Sequence, residues 1–141
     1  MTTPGGGGRG RRRRGRELAL RVLFELEGTD KDAGASLAYQ ASEVGATADV
    51  LAFAQRLVLA CLEDRERIDA AVGAASRWSL ADVGKVERAV LRLGTCELLH
   101  SDGTPVAVVV DESLELARAY AGDDAVQYVN GVLGQIARER V

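Results

Sequence analysis

The stretch Thr104-Pro-Val-Ala-Val-Val-Val-Asp-Glu-Ser-Leu-Glu-Leu-Ala-Arg-Ala-Tyr120 decides between strand and helix. Val106 to Val110 is β-branched at four of five positions, and in isolation would be assigned to a sheet. Two features overrule that assignment. Thr104-Pro105 is the N-cap and first-position pairing that opens helices, because proline has no N–H to waste and its φ is already helical. Val106, Val110, Leu114 and Ala117 then recur at helical spacing and carry one apolar face to Leu116 and Tyr120. Downstream, Gly122 ends this helix, Asp123 or Asp124 caps the next, and Val126, Val129, Leu133 and Ile136 line its buried side.

Working back from Thr104, Val83, Val86, Val90 and Leu93 give an apolar face ending near Leu99. Ser79-Leu-Ala-Asp82 reads as a capping-box variant in front of it, with Trp78 in the linker as a core or hinge plug. Val50, Leu51, Ala54, Leu57, Val58, Cys61 and Leu62 form a clear helical stripe. Glu63 to Arg67 marks a solvated face or bend, and Ile68, Val72 and Ala75 continue the period to about Ser76. A short helix is expected around Ser36 to Val44 before Gly45, and another from Arg16 to Glu27, stopped by Gly28. The expectation is an all-α domain of six or seven helices in two packed sub-bundles over residues 16–141, preceded by an arm, residues 1–15.

Composition agrees with that class. At 141 residues, with 47% apolar and 28% charged residues, the chain can build one core and makes two independent domains unnecessary. Aromatics at 4% and two prolines suit packed helices better than a sandwich or barrel. No apolar run approaches the roughly 20 residues that span a bilayer. These features describe a soluble protein.

The net charge of −3 conceals a segregation: residues 9 to 21 hold seven arginines against Glu17, leaving the rest of the chain at −9. A concentrated basic arm on an acidic body implies a polyanionic partner at one edge. Six glycines and Pro4 interrupt the arm. Guanidinium groups fork onto phosphate and stack on bases, and a glycine-spaced arm suits an irregular single strand better than a duplex groove, so RNA is favoured over DNA. Glu17 and Arg21 break the apolar stretch a secretory signal needs, and Gly5 to Gly8 do not fit the amphipathic helix of a transit peptide. The expected location is the cytoplasm.

Chemistry is sparse. Cys61 and Cys96 sit among apolar residues and read as small buried hydrophobes; His100 is the one histidine, at a solvated helix end. No zinc or other metal site and no cofactor is expected, since four N or S ligands cannot be assembled. Gly5 to Gly8 lack the Gly-Lys-Ser/Thr ending of a phosphate-binding loop. Asp111, Glu112 and Glu115 are expected on a solvated helix face. Tyr128-Val-Asn-Gly-Val-Leu-Gly134 places two glycines inside a helix at about 1 kcal/mol each, which close helix approach would offset. Asn130 reads as an internal hydrogen-bonding residue. Tyr120 and Tyr128 flank the Gly122-Asp-Asp124 turn, where they are either core or faces for unpaired bases.

Three blocks together resemble the NusB family across residues 11 to 138: Arg12-Arg-Arg14 with Arg16-Glu-Leu-Ala19 and Leu23-Phe24; Val86-Glu-Arg-Ala-Val-Leu-Arg-Leu93 with Glu97-Leu98; and Pro105 through Val110-Asp-Glu112, Leu116-Ala-Arg118 and Tyr128-Val-Asn-Gly-Val-Leu133. The resemblance implies transcription antitermination without catalysis. It implies binding of boxA-type single-stranded RNA in ribosomal RNA leader transcripts, jointly with NusE, a ribosomal small-subunit protein, within the transcription elongation complex. Carried over by position, the RNA surface comprises Arg12, Arg13, Arg14 and Arg16, with Phe24, Glu87, Tyr120, Asp124 and Tyr128 near it. Residues 28 to 48 match none of the blocks, and a homodimer stays open.

Two other classes were weighed. Ribosomal RNA cytosine methyltransferases carry a similar amino-terminal domain, but no dinucleotide-type glycine motif follows a strand here, so this chain would be a separated fragment of such an enzyme. Membrane-surface binding through the arm lacks apolar anchors among residues 1 to 15.

Overall fold

The computed structural model describes residues 8–100 and 103–139. Among them the chain is all-helical: α1 (Gly8–Leu26), α2 (Ala33–Val44), α3 (Ala48–Glu63), α4 (Arg65–Ala75), a 3-10 turn (Leu80–Asp82), α5 (Lys85–Leu99), α6 (Val106–Tyr120) and α7 (Asp123–Glu139). Two compact units result, Met1–Leu59 and Ala60–Val141, with the division inside α3.

In the first unit, α1 starts at Gly8, eight residues before the expected Arg16. Arginine ranks with leucine as a helix former, so the arginine run extends the helix once the downstream apolar face is docked. Gly15 lies within it because the ring of Phe53 occupies the space a Cβ would need. The remainder of the expected arm, residues 1–7, lies outside the described residues. Leu18, Ala19, Val22 and Leu23 of α1, Leu37 and Ala41 of α2, and Val50, Phe53, Ala54 and Val58 of α3 supply the core. A polar seam ties α2 to α1: Glu25 accepts from Ser36 Oγ at 2.7 Å and Gln40 Nε2 at 3.0 Å, and Arg21 Nε donates to Gln40 Oε1 at 2.9 Å. Helix α2 begins three residues before the expected Ser36, because Asp32 accepts from the Ala35 amide at 2.8 Å as its N-cap, and it closes at Gly45 in the left-handed region.

In the second unit α5 is the axis, packed by α4, α6 and α7, and every residue from Ala89 to Leu98 is buried. Its buried Arg92 forks onto Asp69 of α4 at 2.8 and 3.1 Å, the bidentate geometry that makes a desolvated guanidinium tolerable. The expected capping box at Ser79 is corrected: Ser79 Oγ donates to Asp82 Oδ2 at 3.0 Å inside the 3-10 turn, Val83 is extended and buried, and α5 starts at Lys85 behind Gly84. The valine run is helical, as its spacing requires, with Pro105 one position outside α6. Glu112 departs from the expected solvated face. It is 2% exposed, since it shares the core-facing stripe with Val109 and Leu116, whereas Asp111 and Glu115 are exposed. The close approach expected at the α7 glycines occurs instead at Gly94 of α5, where a Cβ would meet Ser113 Oγ at 2.7 Å and Leu133 Cδ1 at 3.0 Å.

Candidate nucleic-acid interface

In the first unit, Arg11 to Arg14 are all exposed on the first turns of α1. Successive side chains are about 100° apart, so the four fan around the helix. The helix start carries no acidic residue in its first turn, and cations there oppose the positive end of the helix dipole and repel one another. Arg11 Nε meets Asp49 Oδ2 at 3.1 Å, but both side chains are more than half exposed, so the pair contributes at most about 1 kcal/mol. Thr47 donates to Asp49 Oδ1 at 2.7 Å and, with its backbone contacts and Arg11, holds that carboxyl below its ordinary range.

Phe53 organises the rest. The guanidinium carbons of Arg12 and Arg16 each lie 5.6 Å from its ring centroid and that of Arg56 lies at 5.7 Å. Arg16, expected among the RNA contacts, is 2% exposed; packed against Phe53 in the unit core, it supports the helix start and does not belong to the accessible set. Arg13 and Phe24 are eleven residues apart, which puts them on one face of α1 about 16 Å from each other, and Phe24 is 41% exposed.

In the second unit, Tyr120 ends α6 with its ring 41% exposed. Asp124 and Tyr128, at i and i+4 on α7, line one side of a groove of about 540 Å³ with Trp78, Arg77, Gln127 and Gly131. Trp78 is 54% exposed and so is neither core nor plug. Its ring packs on Tyr128 at 5.2 Å between centroids and 59° between planes. Ser76 Oγ joins the two, 2.6 Å from Tyr128 Oη, donating to Trp78 O at 2.8 Å and accepting from Trp78 N at 3.1 Å. Glu87, half-buried, folds back until its Oε1 crowds the site of a Cβ at Gly84, an arrangement that sets its carboxylate over the N-terminus of α5. The expected site residues therefore divide, Arg12, Arg13, Arg14, Arg16 and Phe24 in one unit and Glu87, Tyr120, Asp124 and Tyr128 in the other.

Sequence reasoning missed Phe53 and misjudged Trp78. Phe53 is three residues after Val50 and four before Leu57, on the stripe already recognised, and four polar or charged neighbours around Trp78, Ser76, Arg77, Ser79 and Asp82, signal an exposed setting.

Nothing in either unit offers catalysis. Cys61 and Cys96 are free and buried, and the Cys61 thiol is pushed well above its ordinary range by hydrogen bonding with Cys96 and by burial. His100 Nε2 lies 2.8 Å from Asp64 Oδ2 at the end of α5. Among the described residues no cluster of three or more His, Cys, Asp or Glu side chains is placed to hold a metal, and no helix is long and apolar enough to cross a membrane.

With this geometry in view, comparison with known proteins is direct. The model of the NusB family matches residues 13–138. Transcription antitermination protein NusB of Heliobacterium modesticaldum is 36% identical over 129 residues, covering 91% of this chain and 63% of that protein. The NusB protein of Sorangium cellulosum is 38% identical over 129 residues, covering 91% and 92%. Among solved structures, NusB of T. maritima superposes with a TM-score of 0.84 at 33% identity, covering 99% of this chain and 94% of that one. A crystal structure of antitermination factors NusB and NusE in complex with double-stranded RNA superposes with a TM-score of 0.85 at 28% identity, covering 92% and 97%. The arginine-rich α1, the seven-helix architecture and the α7 sequence motif thus belong to a common ancestry, and the chain is a member of the NusB family.

Proposed function

We propose that this protein is a transcription antitermination factor, not an enzyme, that binds boxA-type RNA of ribosomal RNA leader transcripts together with NusE. The observation that carries the reading is the fan of exposed arginines, Arg11 to Arg14, at the positive end of α1 on a chain of net charge −3. Clustering like charges there is unfavourable by itself, and a bound polyphosphate backbone relieves it. Arg12, Arg13 and Arg14 contact phosphates and bases, Phe24, Tyr120 and Tyr128 offer stacking faces, and Asp124 and Glu87 lie beside the RNA path. Binding to a nascent transcript requires residence in the cytoplasm. The relatives' shared name and the neighbour solved with NusE and RNA support this assignment.

The test is a titration of a fluorescently labelled single-stranded boxA-type leader RNA with this protein, alone and with NusE. Binding that is tightened by NusE and lost on scrambling the RNA is expected; equal affinity for scrambled RNA with NusE present would refute boxA recognition.

A further inference from the structure

Two features of the second unit have no structural cause. Gly131 stands in the middle of α7, where glycine is disfavoured relative to alanine, yet a Cβ there would meet nothing within 4 Å. Packing does not require it. Trp78 is more than half exposed, and nonetheless is fixed in place by Tyr128 and by the three hydrogen-bonding contacts of Ser76. Both residues line the same groove. A large apolar ring held rigid in water is preorganised for a partner, because its ordering entropy is spent before binding. A glycine with open space above it lets a ligand approach the helix backbone.

We infer that the groove between Trp78 and Gly131 is a nucleobase pocket, in which an unpaired RNA base stacks on the Trp78 indole and slides over the bare backbone of Gly131. The inference deepens the proposed function and rests on it. A groove of about 540 Å³ is of ligand-binding size. Its chemistry fits a nucleotide: a flat π-face for the base, the Gln127 amide with donor and acceptor for a base edge, and exposed Arg77 next to the indole for a phosphate.

The experiment exploits Trp78 being the only tryptophan in the chain. The full-length protein is titrated with a single-stranded boxA-type RNA dodecamer, following both Trp78 emission and the affinity of a labelled copy of the RNA. Trp78→Ala, Gly131→Ala and Gly134→Ala are compared with the wild type. Gly134 lies on the same helix outside the groove, and its Cβ would find only an ordinary contact with Arg138 at 3.4 Å. The RNA is expected to quench Trp78. Trp78→Ala should weaken binding by about 5- to 150-fold, the span of base–aromatic stacking. Gly131→Ala should raise the thermal midpoint by about 3 °C while weakening RNA binding by at least about fivefold. Gly134→Ala should raise the midpoint alike and leave affinity unchanged. Opposite signs for stability and binding at Gly131 alone are what a purely structural glycine would not give.

Wild-type binding with no emission change and unaltered affinity in Trp78→Ala and Gly131→Ala would overturn the pocket while leaving the proposed function standing. Quenching by NusE without RNA, with Gly131→Ala weakening NusE and not RNA, would overturn it in favour of a protein-docking groove. Absence of any RNA binding by the wild type with NusE present would remove both the pocket and the function beneath it.

Discussion

Replacing Phe53 by leucine separates the scaffold of the arginine fan from the fan itself. Phe53 is 7% exposed and faces three guanidinium groups at 5.6 to 5.7 Å. Cation–π attraction is worth about 0.5–1 kcal/mol at exposed sites, which describes Arg12 and Arg56, and about 2 kcal/mol when desolvated, which describes Arg16. Leucine keeps most of the apolar volume but no quadrupole, and leaves the buried Arg16 charge poorly compensated. A net loss of about 3 kcal/mol follows, or roughly 10 °C in melting temperature for a chain of this size. The assay is thermal denaturation followed by far-ultraviolet circular dichroism, with Phe53→Tyr as the variant that retains the ring and most of the stability. RNA affinity should fall with Phe53→Leu although Phe53 is buried, because Arg12 loses the surface that orients it. A leucine variant melting within about 2 °C of the wild type would refute the role assigned to the ring.

Two further outcomes follow from the electrostatics. The Glu25 carboxyl is drawn down from 4.5 to about 2 by hydrogen bonds from Gln40, Ser36 and Lys31. A depressed folded-state value means stability that is present above the unfolded value and lost as pH falls through the folded one. Melting temperature should therefore drop between pH 4.5 and 2 in the wild type and drop less in Glu25→Gln, which equal acid sensitivity of the two proteins would contradict. Asp124, exposed in the first turn of α7, favours the helix dipole but repels nearby phosphate. Asp124→Asn should leave stability within about 1 kcal/mol and strengthen RNA binding, more at low salt than at high; weaker binding with an intact fold would mean that Asp124 accepts a hydrogen bond from the RNA.

The helical class was legible because apolar spacing and helix stops are local. Val106 to Ala117 outweighed their strand propensity, and Val50 to Leu62 located α3, by the same argument of period. What sequence could not supply were facts about faces meeting in space. Arg16 reads like Arg12 in sequence, and only the position of Phe53 distinguishes the buried guanidinium from the exposed one. Glu112 sits among acidic neighbours, yet its register with Val109 and Leu116 buries it. Gly94 and Gly131 are both helix glycines, and only the packing of α6 and α7 reveals that one permits close approach and the other leaves open space. The helix start at Gly8 was hidden because glycine and arginine clusters read as an arm when the docking surface beneath them is unseen.

The central claim is that the exposed arginines of α1 take RNA phosphates, and the salt dependence of binding tests it most directly. The measurement is the slope of log K against log salt concentration for a single-stranded boxA-type RNA, for the wild type and for a variant with Arg11, Arg13 and Arg14 changed to glutamine, Arg12 being kept for its contact with Phe53. Each phosphate contact on a single strand contributes about 0.7 to the slope. The account predicts a slope shallower by about 2 units in the variant, with melting temperature retained. An unchanged slope in a folded variant would contradict it.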